Sequence, residues 1–367
     1  VALETSEGDE QAALDVRAEG RVMVARGVDL ADGAYVVTCR WYDGGGEPIT
    51  ATSFELQVTT PARLPQDAPE EERRALLLEH AAARPQRGPI WRGLIWNEVA
   101  RYALGRYDEI RPETVRETCA FIKSPTTGSD FEIQAILRLM AWERRERHLT
   151  DELNAVMDDA ILSYKYWSDE PGPDKFFGSE NHRLMYHAAE WLAGLVFPLE
   201  EFRNSRQRGL FHVMKGRAYL VEWLRQRGRY GFDEWHSNAY FGADIPPLLN
   251  VYDFCLRDDY KLKQLAGMVL DYLFFILAAD TYGGVLGTTH GRSYADRLKY
   301  PDAEANSAVC WLVYGTGSLT SLATTYPAVS LATSTYRPPG FYGEIARDAT
   351  SVVESRQRQG VLRGSAQ

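Results

Sequence analysis

A long succession of helical patterns is the feature that most constrains how this chain can fold. Apolar residues recur at helical spacing in about ten consecutive segments between residues 68 and 314, and no strand pattern interrupts them. Repeated helix hairpins must close into a bundle, a solenoid or a ring, and no solenoid repeat of about 34 or 40 residues is present. We therefore predict a mainly α fold, an (α/α) toroid of helical hairpins. The predicted helices are 68–84, 90–104, 112–122, 130–145, 151–167, 181–196, 209–225, 243–255, 260–279 and 303–314.

The residues before this helical region follow a strand pattern instead. Segments 21–26, 34–42 and 53–59 alternate with period two or are rich in β-branched residues, and Asp43 begins a glycine-rich turn. The sequence thus predicts three parts. Residues 1–62 form a β-rich accessory module with a small antiparallel sheet, resembling part of a sandwich. Residues 63–335 form the helical toroid, which contains the catalytic site, and residues 336–367 form a linker or the start of a C-terminal β-module.

Composition and charge exclude several classes of function. The net charge of −10 argues against non-specific nucleic-acid binding, although a locally basic cleft could still accept an anion. The four cysteines have no CxxC spacing, which predicts neither a zinc site nor a disulfide framework. No apolar run reaches about 18 residues, so we expect no membrane span. The chain begins without Met or a signal peptide, and we expect a trimmed, secreted or periplasmic form whose oligomeric state stays open.

Residues 176–191 are the strongest candidate for a functional segment. Gly178 ends the preceding segment, Ser179 is a predicted N-cap, and Glu180, Asn181 and His182 follow in the first helical turn. An Asn-His pair at a loop-to-helix junction presents a hydrogen-bond donor beside a titrating base. A structural cap is the alternative reading of His182.

Two later loops carry the other polar and aromatic candidates. Residues 227–240 contain Glu234, Trp235, His236 and Tyr240, and residues 283–294 contain His290, Arg292 and Tyr294. Gly291 lies between His290 and Arg292, and Gly287 precedes them closely, so the backbone could approach a ligand closely. Tyr240 could instead be a core aromatic, and Arg292 a surface cation. Three histidines from different loops could meet at a metal, but there is no HExxH motif, so we predict no metal and no cofactor.

The Asn181-His182 pair, followed by Tyr240 in an aromatic loop, resembles the polysaccharide lyases of the (α/α) toroid type. Alginate lyase, chondroitin AC lyase and the heparinase II/III-like enzymes belong to this group, and the resemblance covers roughly residues 90–325. It implies a toroid joined to β-sheet modules, a polysaccharide substrate and β-elimination at a uronic acid. Asp233 and Glu234 depart from the pattern, because several of these families have an arginine at one of these positions.

The resemblance also implies roles for individual residues. Asn181, with His182 or Arg292, would neutralise the uronate carboxylate and stabilise the enolate-like charge. His182 or Tyr240 would be the base and Tyr240 the acid, with His236 close by. As a base, Tyr240 would need a neighbouring cation, since its reference pKa is about 10. The predicted substrate-binding residues are Glu180, Trp167, Trp191, Glu234, Trp235, His290 and Tyr294, the tryptophans as stacking platforms for sugar rings.

Two alternatives remain open. A glycoside hydrolase on the same toroid would use a carboxylate pair, for which Glu180 and Glu234 are the best placed. A non-catalytic glycan-binding protein would use the same aromatic loops without turnover.

Overall fold

The structure, a computed structural model, describes residues 2–5, 10–13, 33–58, 68–83, 94–299, 304–317, 322–352 and 354–357. The chain divides into two compact units, residues 1–61 and 62–367. The described part is mainly helical, with a small antiparallel sheet in the first unit.

The first unit contains a four-stranded antiparallel sheet with the order β2-β1-β3-β4. Its strands are β1 (Ala2–Thr5), β2 (Glu10–Ala13), β3 (Gly33–Tyr42) and β4 (Pro48–Val58). The β3–β4 hairpin turns at Asp43, whose carboxylate accepts the backbone N–H groups of Gly45 and Glu47, both at 2.8 Å. The hairpin matches two predicted strands, β1 and β2 were not predicted, and the predicted strand 21–26 lies outside the described residues.

The second unit holds thirteen α-helices and one two-stranded ribbon within its described residues. The helices are α1 (Glu70–Ala83), α2 (Ile95–Ala103), α3 (Pro112–Lys123), α4 (Ser129–Glu146), α5 (Asp151–Leu162), α6 (Glu180–Val196), α7 (Gly209–Tyr230), α8 (Phe241–Phe254), α9 (Tyr260–Asp280), α10 (Ala295–Lys299), α11 (Ala305–Tyr314), α12 (Leu322–Ala332) and α13 (Phe341–Arg347). Strands β5 (Thr281–Tyr282) and β6 (Val285–Leu286) form the ribbon after α9.

All ten predicted helices correspond to observed ones, with shifted ends. Helix α5 ends at Leu162 instead of residue 167, and α7 continues to Tyr230, where Gly231 ends it with φ of 74°. Helix α12 was missed because Pro327 lies inside it, and a proline normally marks a helix boundary. Residues 336–347, predicted as a linker or the start of a β-module, belong to the helical unit, since Tyr336 and Tyr342 are buried in its core and α13 packs on α9 and α11.

The helices pack in a regular series. Helix α2 contacts α4, α4 contacts α6, α6 contacts α8, α8 contacts α12, and α12 contacts α2. Helices α1, α3, α7 and α9 each pack against a member of this series. The apolar core lies between the helices, and the first turns of α4, α6 and α8 bring polar side chains together at one place.

One helical stretch, Arg257–Asp280, is long and apolar enough to cross a membrane if only length and composition are considered. About half of its most apolar window is buried inside the protein (50%), and core helices of globular proteins give the same signal. The absence of a membrane span therefore stays a prediction.

Glycines allow α6 and α7 to pack closely. A Cβ atom on Gly216 would lie 2.7 Å from the backbone nitrogen of Trp191 and 3.0 Å from the carbonyl oxygen of His187. A Cβ atom on Gly228, on the same helix, would meet nothing within 4 Å. Backbone atoms cannot move aside as a flexible side chain can, so only the first position is restricted to glycine.

We therefore expect Gly216→Ala to lower the free energy of unfolding by about 1–3 kcal/mol, because the added methyl group forces the two helices apart. Gly228→Ala is the matched control and should be neutral or stabilising by up to about 1 kcal/mol, since alanine favours the helix. Urea unfolding of both variants measures the difference. Equal stability of the two variants would contradict the close packing.

Candidate functional site

The first turn of α6 is built as the sequence predicts. Ser179 is the N-cap, and its side chain accepts the backbone N–H of His182 at 3.5 Å and donates to Oδ1 of Asn181. Glu180, Asn181 and His182 are all buried. The Nδ2 group of Asn181 has no hydrogen-bond partner among the described residues, although it is fully buried. It is therefore an unsatisfied donor in the first turn of α6.

His182 forms a dyad with Asp130 from the first turn of α4. Nδ1 of His182 is hydrogen-bonded to Oδ2 of Asp130, a carboxylate that is completely buried. This contact assigns the proton to Nδ1, which donates to the carboxylate, and leaves Nε2 as an acceptor. No hydrogen bond engages Nε2 within the described part of the chain. A carboxylate that holds an imidazole in one tautomer is the usual arrangement for a general base.

The loop after α7 closes onto the start of α6. The carboxylate of Glu180 is paired with Arg227 and accepts the backbone N–H of Glu234 at 2.6 Å. In return, Glu234 accepts the backbone N–H of Asn181 at 3.3 Å. These reciprocal contacts fix the 231–240 loop against the Asn-His turn, so Glu180 has a positioning role in this arrangement.

Arg292 connects Glu234 to a pair of tyrosines. Its guanidinium donates to Oε1 of Glu234 at 2.9 Å and lies 4.3 Å from the centre of the Tyr240 ring. The hydroxyl of Tyr240 is hydrogen-bonded to that of Tyr294, which also accepts a long 3.5 Å contact from Arg292. The Arg292 side chain is 41% exposed, so its remaining N–H groups can reach a ligand.

The environment raises the pKa of Tyr240 instead of lowering it. Burial is the main cause, followed by the hydrogen bond between the Tyr240 and Tyr294 hydroxyls, and the charge of Arg292 only partly opposes them. Tyr240 is therefore protonated at neutral pH. A neighbouring cation, which Tyr240 would need to act as a base, is present in Arg292, but it does not lower the pKa of Tyr240 below its usual value; the role of acid is compatible with the raised pKa.

The carboxyl groups of Glu180, Glu234 and Asp244 lie close enough to influence one another's charge. Burial, together with the charges of Glu180 and Glu234, raises the pKa of Asp244 in the first turn of α8 well above its usual value. Burial likewise raises the pKa values of Glu180 and Glu234, while Arg227 and the backbone N–H of Asn181 respectively oppose the effect. One Oδ1 atom of Asp244 is buried without a partner among the described atoms.

Two predicted histidines take structural roles. Nδ1 of His236 contacts Thr288 Oγ1 at 2.8 Å and Nε2 contacts Gln357 Oε1 at 2.6 Å, so neither nitrogen is free for proton transfer. The catalytic prediction for His236 is therefore wrong. His290 Nδ1 donates to the backbone carbonyl of His236 at 2.8 Å and steadies that residue in the left-handed region, with φ of 42°.

Gly291 also serves the packing of the two loops. Its backbone N–H donates to the carbonyl of Trp235 at 2.7 Å, and a Cβ atom there would lie 2.9 Å from the Cβ of Trp235. Gly291 thus allows a close approach of the backbone to Trp235, whereas the sequence predicted a close approach to a ligand.

The three tryptophans differ in exposure. Trp191 is buried, 2% exposed, and cannot stack on a sugar, so this prediction is wrong. Trp167 is half-buried against His187, with ring centres 4.2 Å apart, and Trp235 stacks on His236 at 4.1 Å. Phe176 was not predicted as a contact, yet it is 50% exposed and its ring centre lies 5.1 Å from that of His182.

Asp130 and Asp244 are the two acidic residues of this polar cluster that the sequence did not single out. Among the sequence-based predictions, Asp130 entered only as the first residue of the predicted helix 130–145. A usable signal exists, because α4, α6 and α8 each have an acidic residue in the first turn. An acidic residue in the first turn is common in any helix, because the helix dipole stabilises a carboxylate there. The pattern therefore indicates a shared acidic centre only when the three helices are known to be neighbours.

Glu304 is hydrogen-bonded to both the 231–240 loop and strand β6, which precedes the loop that carries Arg292. Its carboxyl accepts Nδ2 of Asn238 at 3.1 Å and the backbone N–H of Leu286 at 3.5 Å, and Asn238 in turn accepts the hydroxyl of Ser293. Burial raises the pKa of Glu304 to about 7. The folded protein therefore binds a proton that the unfolded chain has already released above about pH 4.3.

We expect this proton to make stability fall as pH rises from about 4.5 to 7, with Glu304 contributing on the order of 1–2 kcal/mol of the decline after allowance for solvent screening. Glu304→Gln keeps the neutral form and should flatten that part of the curve. Urea unfolding across this pH range measures the effect, and Glu117→Gln, at an exposed glutamate, is the control. Parallel curves for wild type and Glu304→Gln would contradict the assignment.

Comparison of the chain with protein-family models, with curated proteins and with solved structures finds no match.

Proposed function

We propose that this protein is a polysaccharide lyase that cleaves a uronic-acid-containing glycan by β-elimination. The observation that carries the proposal is the Asp130–His182 dyad, whose Nε2 is not engaged in a hydrogen bond within the described part of the chain. The same cluster contains the Arg292 guanidinium and the hydroxyls of Tyr240 and Tyr294. Glu234 links the two halves, since the charges of both Arg292 and His182 act on its carboxyl group.

We also propose that the helical unit is an (α/α) toroid. Support comes from the packing series α2, α4, α6, α8 and α12, which returns to α2, while α1, α3, α7 and α9 pack against its members. In a toroid these two sets would be the inner and outer rings. Polar residues from the first turns of three inner helices would then meet at one mouth of the ring, where a glycan can enter.

His182 is the base in this mechanism. Its Nε2 takes the proton from C5 of the uronate, and the buried Asp130 carboxylate stabilises the imidazolium that results. The electron pair of the C5–H bond becomes the C4–C5 double bond as the C4–O bond breaks. Because the C5 proton is only weakly acidic beside a charged carboxylate, the carboxylate must be neutralised in the same step.

Arg292 and Asn181 supply that neutralisation. Arg292 retains N–H groups beyond the one that Glu234 occupies, and the buried Nδ2 of Asn181 has no partner in the described chain. Tyr240, which its surroundings keep protonated, donates its proton to the departing 4-oxygen. Tyr294 holds the Tyr240 hydroxyl in place.

A screen of uronic-acid polysaccharides for ultraviolet-absorbing products tests this function directly. Elimination creates an unsaturated uronide that absorbs, whereas hydrolysis creates no double bond. Absorbing oligosaccharides from one polysaccharide class are the expected result. Binding without turnover would favour the glycan-binding alternative, and reducing ends without absorbance would favour hydrolysis.

The hydrolase alternative rests on the carboxyl cluster of Glu180, Glu234 and Asp244. Carboxyls with raised pKa values are suited to act as general acids, and two carboxyls with different environments are what glycoside hydrolysis requires. Glu180, however, is bound by Arg227 and by the backbone of Glu234, which leaves little of it for a substrate. Two results together would support hydrolysis over elimination: wild type releases reducing ends without any ultraviolet-absorbing product, and Glu234→Gln loses this activity.

The polysaccharide partner and the secreted or periplasmic location remain predictions from the sequence.

A further inference from the structure

We infer that Glu170, Glu190 and His212 form a binding site for one divalent transition-metal cation of the zinc or manganese class. The site lies where α6 and α7 meet the segment after α5, and it goes beyond the proposed function. Glu190 follows Glu180 by ten residues on α6, a distance of roughly 15 Å along the helix, so the site is separate from the Asn-His turn. The sequence predicted no metal.

The three residues bring their donor atoms to one point. One atom from each, a carboxylate oxygen of Glu170 and of Glu190 and a ring nitrogen of His212, lies within 4.8 Å of the other two. Ligands about 2.0–2.2 Å from a common ion are separated by distances of this order. All three side chains are buried, with exposures of 6%, 0% and 0%.

Two oxygen atoms in this cluster lack a hydrogen-bond donor. Oε1 of Glu170 and Oε2 of Glu190 are both buried and have no partner in the described chain. Two adjacent carboxylates that each keep one buried oxygen without a donor repel each other and lose part of their hydration, which is costly unless a positive charge joins them. The nearby cation, Lys215, contacts the other oxygen of Glu190 at 3.4 Å. A bound ion would satisfy the two vacant oxygens together.

The surrounding contacts orient the donors as outer-shell groups do in metal centres. Ser205 Oγ contacts Nε2 of His212 at 2.7 Å, which fixes the orientation of the ring. The backbone N–H of Tyr166 donates to Oε2 of Glu170 at 3.0 Å. Nδ1 of His212 lies 2.9 Å from Oε1 of Glu190, so an ion would bind Nδ1 in the tautomer that carries its proton on Nε2, and that proton would be donated to Ser205 Oγ.

The donor set selects the class of ion. Two carboxylates and one imidazole suit Zn²⁺ or Mn²⁺, whereas Ca²⁺ requires about 6–8 oxygen ligands and Mg²⁺ prefers oxygen and water. Because the site is buried and joins three segments, its role is structural: it ties the segment after α5 to the α6–α7 pair.

The test uses the full chain, stripped of metal with a chelator and titrated with ZnCl₂ or MnCl₂ alone. We expect uptake of one equivalent per chain by calorimetry and elemental analysis, and a rise in melting temperature of roughly 5 °C under saturating metal. Glu170→Gln and Glu190→Gln should each weaken binding by at least about 100-fold. Ser205→Ala, which removes the orienting contact and a 3.2 Å contact from the backbone N–H of Gln207, should weaken it about 10–100-fold without loss of the fold. Glu117→Gln, at an exposed site, should bind as wild type does.

The inference is overturned if the stripped wild type takes up neither ion and its melting temperature does not move. Glu170→Gln would then be at least as stable as wild type. Undiminished uptake in both glutamate variants would equally exclude this location. Failure of the lyase assay has no bearing on these measurements, since none of them reads activity.

Discussion

Replacement of His182 by alanine is expected to lower turnover on the uronic-acid substrate by roughly 10²–10⁴-fold, the usual contribution of a positioned general base. His182→Gln should have the same effect, since glutamine can still hydrogen-bond to Asp130 but does not take up the C5 proton. Asp130→Asn should cause a similar loss, because an asparagine amide can stabilise the wrong imidazole tautomer and cannot stabilise the imidazolium. The measurement is the initial rate of ultraviolet absorbance, with circular dichroism to confirm folding.

A histidine outside the cluster provides the control. His148 lies at 35% side-chain exposure after α4, stacked on Tyr107, and His148→Gln should leave the rate unchanged. Wild-type-like turnover in folded His182→Ala would remove His182 from the mechanism. Retained turnover in Asp130→Asn with loss in His182→Ala would keep the base but remove the dyad.

Replacement of Tyr240 by phenylalanine should lower turnover by a comparable factor, about 10²–10⁴, because the departing 4-oxygen would then lack its proton donor. The ring and its contact with Arg292 remain in this variant, so substrate binding should change little. The acid role makes a sharper prediction: a uronide with a leaving group that needs no proton, such as a nitrophenolate at C4, should restore most of the rate in Tyr240→Phe. It should not restore the rate in His182→Ala.

Tyr294→Phe separates positioning from proton donation. This variant loses the hydroxyl that holds Tyr240, so its turnover should fall less than in Tyr240→Phe, and the activated substrate should bring a smaller gain. If Tyr240→Phe gains nothing from the activated leaving group, Tyr240 is not the acid.

The helical character of this chain follows from local pattern. Apolar residues at spacings of three and four predicted α6 and α9 almost to the residue, since burial of one face decides whether such a segment is helical. The N-cap at Ser179 was equally accessible, because capping depends on a side chain two or three residues from the group that it satisfies. The helix containing Pro327 was not, because packing against α8 and α11 outweighs the local preference of proline there.

The candidate cluster is only partly a matter of sequence. Asn181, His182, Tyr240 and Arg292 could be singled out as polar residues in aromatic or glycine-rich loops. The sequence does not reveal that His236 is hydrogen-bonded to Thr288 and Gln357, or that Trp191 is buried. Such facts depend on which face of an element meets its neighbour.

The sequence by itself determined the helices, their caps and the places where polar side chains collect, because these follow from contacts a few residues apart. Tertiary structure alone decided that Asp130 meets His182, that burial keeps Tyr240 protonated, and that Glu170, Glu190 and His212 converge. The physical reason is that pKa values and ligand sets depend on burial and on charges a few ångströms away, contributed by segments tens of residues apart in the chain.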